Sequence, residues 1–292
     1  MSNCYLSEKV EISSKERCND HGFMGRTHAT SAVAVFFATV AFFPVFAFNA
    51  LGSNSLAVII VAAIVTAGAS LVPDLDNTSS TARNSLGPFG HIASEIIRAI
   101  SAFIQTVIRT GRDDPEPNAH RGAFHTIPAA ALLGLGAFAF SNFDGTVSLP
   151  KLGDHSWGYI SAMIITFTMC HLALSGLFKP FMRKLNKGFF GELTSFAFSF
   201  VISTALFLQI PESVGFQWIG IAVFAGCLIH ILGDAFTTSG VPLWFPIPRK
   251  GKLWWMVRFT PIKAGGVVEN VIFVPFFLIV IVISFLKFLN LW

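Results

Sequence analysis

The sequence predicts an all-α membrane protein: a polytopic helix bundle of about seven transmembrane helices, with one amphipathic helix on its cytoplasmic side. Three observations predict it. Hydrophobic residues make up 53% of the 292 residues and charged residues only 12%, about half the charged share of a soluble domain. Seven apolar runs approach or reach membrane-spanning length, more than one soluble core could hide. Lys and Arg gather in alternate segments between those runs, as they do in the cytoplasmic loops of membrane proteins.

The runs cover residues 29–51, 55–72, 126–143, 157–178, 190–210, 216–233 and 268–290. Pro44 and Pro275 fall within the first and the last. Membrane helices tolerate such residues because neighbouring helices re-satisfy the freed backbone groups. Residues 1–25 are polar, carry Glu8, Lys9, Glu11, Lys15, Glu16 and Arg17, and lack an apolar core. They read as a flexible extension and not as a cleavable signal, which leaves residues 26–292 as one membrane-embedded domain. Cys4 and Cys18 lie in the extension, Cys170 and Cys227 in apolar runs, and no Cys-x-x-Cys pair occurs. A thiolate zinc site is therefore not expected, and the two cysteines in the runs read as packing residues.

Eighteen of the twenty basic residues fall on alternate sides of this scheme. They lie before the first run, in 73–125, in 179–187 and in 234–267; the remaining connections hold only Lys151. The pattern places the N-terminus inside and the C-terminus outside. It also accounts for the sequence pI of about 9.0 without a nucleic-acid partner. Within 88–109, Ile92, Ile96, Ile100, Phe103, Ile104, Val107 and Ile108 recur at helical spacing, with Glu95, Arg98, Ser101, Gln105 and Arg109 between them. This is the pattern of a helix lying in the membrane interface. Trp254 and Trp255 beside Lys250, Lys252 and Arg258 suit an interfacial anchor.

The same scheme gathers metal-competent residues at one depth. His28 precedes the first run, Asp74 and Asp76 follow the second after Pro73, His120 and His125 precede the third, and His230 and Asp234 close the sixth. His230 and Asp234 are spaced i, i+4 and share a helix face. Each fragment alone has an ordinary reading, as a turn, a cap or an interfacial histidine. Together they set four helix ends around one layer, where ionisable residues are expensive and kept for function. Imidazole suits zinc, and carboxylate also suits manganese or magnesium. Seven candidate ligands exceed one tetrahedral zinc, so more than one divalent ion is expected. Such sites clamp the oxygens of a phosphoryl displacement and lower the pKa of water. Arg121 between the two histidines is placed to hold a phosphate oxygen, and Asp76 to accept a proton.

The motifs carry a family resemblance. They are Thr27-His28, Leu71-Val72-Pro73-Asp74-Leu75-Asp76, His120-Arg121-Gly122-Ala123-Phe124-His125-Thr126, His230-Ile231-Leu232-Gly233-Asp234-Ala235-Phe236-Thr237 and Gly240-Val241-Pro242-Leu243-Trp244-Phe245-Pro246. Their order and spacing, over about residues 24–248, resemble the YdjM-like family of bacterial inner-membrane proteins, described as LexA-binding, metal-dependent hydrolases. The resemblance implies a fold distantly similar to zinc-dependent phospholipase C. It places His28, Asp74, His120, His125, His230 and Asp234 on metal-ligand positions and Asp76 on the second acid of its motif. The chain departs from the pattern at Asn77, Phe124, Thr126 and Thr238. Every candidate ligand is retained.

Other histidines fit less well: His21 lies in the extension, His91 opens the amphipathic helix, His155 falls on the outer side, and His171 lies inside the fourth run. Glu269 and Asn270 enter the last run from the inner side and read as either site-lining or capping. The expectation is a membrane-bound, metal-dependent hydrolase of a small-molecule or lipid phosphoester, with membrane lipids as its surroundings. The alternatives are a metal or proton transporter, which needs ionisable residues across the whole bilayer, and a non-catalytic protein that binds a partner or an anionic surface.

Overall fold

The computed structural model describes residues 25–114, 120–149, 153–185, 191–210, 214–260, 262–263 and 266–290. Residues 1–24, with Cys4, Cys18 and His21, lie outside the described residues, as do the Pro-broken stretch 115–119, Lys151 and Lys187.

The described residues are mostly helical. In chain order they form α1 (Gly25–Phe42), α2 (Pro44–Leu51), α3 (Leu56–Ala69), α4 (Thr81–Ser85), α5 (Gly87–Ile108) and α6 (Ile127–Ser141). After strands β1 (Thr146–Leu149) and β2 (Gly153–Ser156) come α7 (Trp157–Leu177), α8 (Lys179–Leu185), α9 (Gly191–Phe207), α10 (Gln217–Ala235) and α11 (Val274–Leu289). Each apolar run is helical over most of its length. The first is not straight. It bends by 112° between α1 and α2, where Pro44 lacks the amide donor that a continuing helix needs. Among the described residues, five helical stretches are long and apolar enough to cross a membrane, counting α3 with the turn after it (Leu56–Asp76) and α11 with the turn before it (Glu269–Leu289), and six if the bent pair counts as one; α6 and α9 are apolar but shorter. The connection between the third and fourth runs holds two antiparallel strands, with Thr146 opposite Ser156. Ser156 then caps α7 by accepting from the Tyr159 amide.

The helix directions follow from the contacts. Arg26 donates to Asn270 Oδ1 at one end of α1, and Lys287 Nζ lies 3.8 Å from the Phe42 ring at the other, so α1 and α11 are parallel. Ala69 and Ser70 at the end of α3 accept from Cys227 and His230 of α10, also parallel. Ser141 at the far end of α6 reaches the Phe216 carbonyl, just before α10 begins, so these two are antiparallel. Tyr159 packs on Phe207 and His171 meets Ser199, so α7 and α9 are antiparallel. The start of α1, the ends of α3 and α10 and the start of α6 therefore share one end of the bundle, the end that carries the metal-competent residues.

Helix α5 packs against the turns at 73–76 and 123–125. Its buried side is small and polar, with Ser94, Ser101 and Gln105, while Ile92, Ile96, Phe103 and Val107 are exposed. This is the reverse of a soluble amphipathic helix and suits an apolar face turned to lipid. By length and apolarity α5 also qualifies as a candidate span.

Glycines set how closely the helices approach. A Cβ on Gly226 would lie 2.3 Å from the Thr66 carbonyl oxygen of α3. Cβ atoms on Gly134 and Gly220 would lie 2.9 and 2.8 Å from each other's carbonyl oxygens across the α6–α10 contact. Small residues at helix contacts let backbones pack tightly in a membrane. These seams draw α3 and α6 against α10, and with them the residues at their shared end. Gly226→Ala should therefore cost about 1–3 kcal/mol, as overpacking does. Gly136→Ala, with nothing within 4 Å, should be neutral or slightly stabilising. Thermal unfolding of the two variants in mild detergent checks the contrast.

Candidate metal centre

The carboxylates come from a broken helix. Helix α3 stops at Ala69, and Pro73 opens a 3-10 turn, Pro73–Asp76, that buries both Asp74 and Asp76. The break also turns the Ser70 carbonyl toward α10, where it accepts from His230 Nδ1 at 2.7 Å. That bond fixes the tautomer: Nδ1 carries the proton, and Nε2 keeps its lone pair for a cation. His125 is set by a second short turn, Ala123–His125. Ser101 of α5 holds this turn by accepting from the Ala123 amide at 3.0 Å. Thr126, one of the departures from the family pattern, caps α6 by accepting from the Ala129 amide.

Asp74, His125, His230 and Asp234 each offer one atom to a cage in which all four lie within 4.8 Å of one another. His125 Nε2 and His230 Nε2 are 3.2 Å apart. His230 Nε2 is 3.7 Å from Asp74 Oδ1 and 3.6 Å from Asp234 Oδ2. His125 Nε2 is 3.9 and 3.7 Å from the same two oxygens. A tetrahedral shell with bonds of about 2.0–2.2 Å places its donors about 3.3–3.6 Å apart. The cage edges fall around that spacing. Both Asp234 oxygens are buried with ion-pair contacts, to His28 and Arg121, but no hydrogen bond of good geometry, so they keep capacity to ligate a cation. The donor set fits a divalent metal ion.

A second group adjoins the first. Asp76, His120 and His125 also bring ligand atoms within 4.8 Å of one another. His120 Nδ1 contacts Asp76 Oδ1 at 2.8 Å, and His125 Nδ1 lies 3.4 Å from Asp76 Oδ2. The His125 ring thus stands between the two groups. Asp76 supports it from behind, in the manner of carboxylates that orient ligating imidazoles. Burial works to lower the His120 pKa, but the hydrogen bond to Asp76 and the carboxylate charges outweigh it and leave it above the usual imidazole value.

His28 stacks on His230 at 3.8 Å between ring centroids, and its Nε2 lies 3.4 Å from Asp234 Oδ1. It flanks the cage without being one of its four donors. Arg121 is buried, with φ of 63°, a strained conformation for a side chain this large. Its Nε lies 3.3 Å from Asp234 Oδ2, and Nη1 donates to Thr237 Oγ1 and the Gly240 carbonyl. Nη2 is left with no hydrogen bond within the protein.

His171 stands apart: it meets Ser199 Oγ and the Ser85 carbonyl and stacks on Phe196. Cys170 and Cys227 are buried among apolar neighbours, as packing residues are. Glu269, read from sequence as lining or capping, is fully buried in a π-turn and accepts from the Thr27 hydroxyl beside His28. An acid just inside an apolar run was the signal available for it. Nothing in the sequence could reveal the Ser70 carbonyl.

A helical bundle that buries imidazoles and carboxylates at one end, with apolar faces outward, defines a membrane protein with a candidate metal centre. The chain belongs to the family described as YdjM inner membrane protein, whose model matches residues 23–183 and 188–289. No curated protein and no solved structure matches it.

Because the folded-state pKa of His120 is raised, its pair with Asp76 stabilises fully below the unfolded value of about 6.5, and that contribution is lost as pH rises through the folded value. Metal-free protein should accordingly show thermal stability that falls above about pH 6.5, and His120→Gln should flatten that part of the profile. Separately, Asp76→Asn should weaken roughly 10–100-fold any divalent-ion binding seen when the wild-type protein is titrated with metal.

Proposed function

We propose that the protein is a membrane-embedded, metal-dependent hydrolase of phosphoesters, with its site at the cytoplasmic face of the bacterial inner membrane and its N-terminus inside. One observation carries this reading: two imidazole nitrogens and two carboxylate oxygens converge at tetrahedral spacing, in a protein whose exterior is apolar. The basic residues Arg26, Arg83, Arg112, Arg249 and Arg258 come from the segments that the alternation of charge assigns to the inside.

Asp74, His125, His230 and Asp234 would hold the ion. Zinc suits the mixed nitrogen and oxygen set best, and manganese or magnesium is the harder alternative. Bound there, it supplies Lewis acidity and a water of lowered pKa. The chain's own residues divide the remaining work. His120 keeps 23% of its side chain exposed and Asp74 12%, so the site opens on their side. Asp76 holds His120 with Nδ1 toward the carboxylate, which leaves Nε2, beside the Asn77 amide at 3.4 Å, to exchange a proton with substrate or solvent. Arg121 Nη2 is the guanidinium nitrogen left to meet developing charge on a phosphoryl oxygen. Asp76, His120 and His125 are alternatively the ligands of a second ion.

Elemental analysis of purified protein, paired with hydrolysis of a soluble phosphodiester and of labelled phospholipids, tests the reading. Wild type should bind at least one ion per chain and turn over a phosphoester, and His230→Ala should lose both. His120→Gln should retain the cage ion and lose about 10²–10⁴-fold in kcat. A fall from two ions to one in that variant would assign the second group as ligands. Stoichiometric metal with no hydrolysis would leave a binding protein, and metal uptake into proteoliposomes would favour a transporter.

A further inference from the structure

Away from the metal-competent cluster, two connecting segments build a platform whose cations the site does not use. Residues 249–252 form a tight turn in which Arg249 and Lys252 pair through their backbones. Lys250 and Gly251 at its tip have φ of 51° and 80°. A lysine held in the left-handed region is strained, and such strain persists where surrounding structure imposes it. Here the segment 109–114 imposes it. Thr110 Oγ1 donates to the Gly251 carbonyl, and Arg112 Nη1 donates to the Lys250 carbonyl. Asp113 accepts from the amides of Thr110, Leu253 and Trp254. Burial works to raise the Asp113 pKa, but those backbone bonds hold it below the usual carboxylate range. Its carboxylate is thus spent on building the platform.

The turn borders an open cavity of about 530 Å³ lined by Arg249, Lys252, Arg258, Trp254, Trp255 and Asp114 among others. Arg249 lies over the Trp255 ring at 5.0 Å, and Arg258 donates to the Ser239 carbonyl. Asp114 meets Lys252 at 3.9 Å, but its side chain is 89% exposed, so the pair contributes little. Among the described residues, six cations (Arg109, Arg112, Arg249, Lys250, Lys252 and Arg258) share these segments with two carboxylates. Trp244, Ile247 and Phe259, from the same connecting segment, are exposed. Cations around a hollow, with exposed apolar residues alongside, match a bilayer surface: phosphate in the hollow and side chains in the interface.

We propose that this cavity binds the phosphate headgroup of an anionic phospholipid, at a site separate from the metal-competent cluster. The site needs no hydrolysis, so its failure and that of the hydrolase reading are separable. The full chain in mild detergent is mixed with equal phosphatidylglycerol and phosphatidylcholine, and retained lipid is counted by native mass spectrometry. Wild type should prefer the anionic lipid. Arg249→Gln/Lys252→Gln, which keeps the Arg258 bond, should reduce that preference by about fivefold per cation, from about 1 kcal/mol for each near an anionic surface. Metal content should be unchanged, because neither residue touches the cage. Equal anionic-lipid retention by wild type and variant would overturn the proposal. Displacement of the lipid by inorganic phosphate alone would overturn the lipid assignment in favour of a soluble anion.

Discussion

Two imidazole nitrogens, on His125 and His230, face each other at 3.2 Å inside a bundle with an apolar exterior. With His230 Nδ1 committed to the Ser70 carbonyl, Nε2 presents a lone pair. In the His125 tautomer that also presents an Nε2 lone pair, the two lone pairs beside two carboxylates repel unless a cation lies among them. A proton relieves part of this. A divalent ion relieves more of it and also meets Asp234 Oδ2, which lies 3.6 Å from His230 Nε2. The charge count among the described residues points the same way, since Asp74, Asp76, Asp234 and Glu269 are buried at this end with one buried guanidinium, Arg121. Leaving that excess uncompensated in a low-dielectric interior would cost several kcal/mol.

The rest of the fold can be understood as what holds this arrangement together. Glycine seams bring α3 and α6 against α10, so that a turn after one, a turn before the other and a face of the third meet. Helix α3 ends at Ala69 and Pro73 opens a tighter turn, which leaves the Ser70 carbonyl to His230 and buries Asp74 and Asp76. Arg121 ties the His120–His125 segment to Asp234 and Thr237. Glu269 and Asn270 tie the last helix to Thr27 and Arg26 at the same end. Ser101 couples the apolar-faced α5 to the His125 turn, so that helix and the site share a support.

Much of this was legible in the sequence, for identifiable reasons. The apolar runs stand out because lipid demands long uninterrupted stretches, and the helices fall where the runs do. The cluster was legible because ionisable residues are scarce in such a chain, so four fragments at one depth are conspicuous. What the sequence withheld depends on three-dimensional detail. The bend at Pro44 looks like a tolerated kink until neighbouring contacts decide its angle. Residues 146–156 carry too few alternating positions to announce a strand pair. His28 and His120 look equivalent to His125 and His230 as ligands, and only the ring positions separate a flanking stack and an Asp-paired imidazole from the four cage donors. Arg121 reads as a free phosphate clamp, yet the fold commits its Nε and Nη1 to the protein.

X-ray absorption at the metal edge of the purified protein tests the central claim most directly. Four-fold nitrogen and oxygen coordination, with the scattering of two imidazoles and bonds of about 2.0–2.2 Å, is the expected result, lost when His230 is replaced by Ala. A spectrum with sulfur ligands, or a bound metal whose coordination is indifferent to His230, would contradict it.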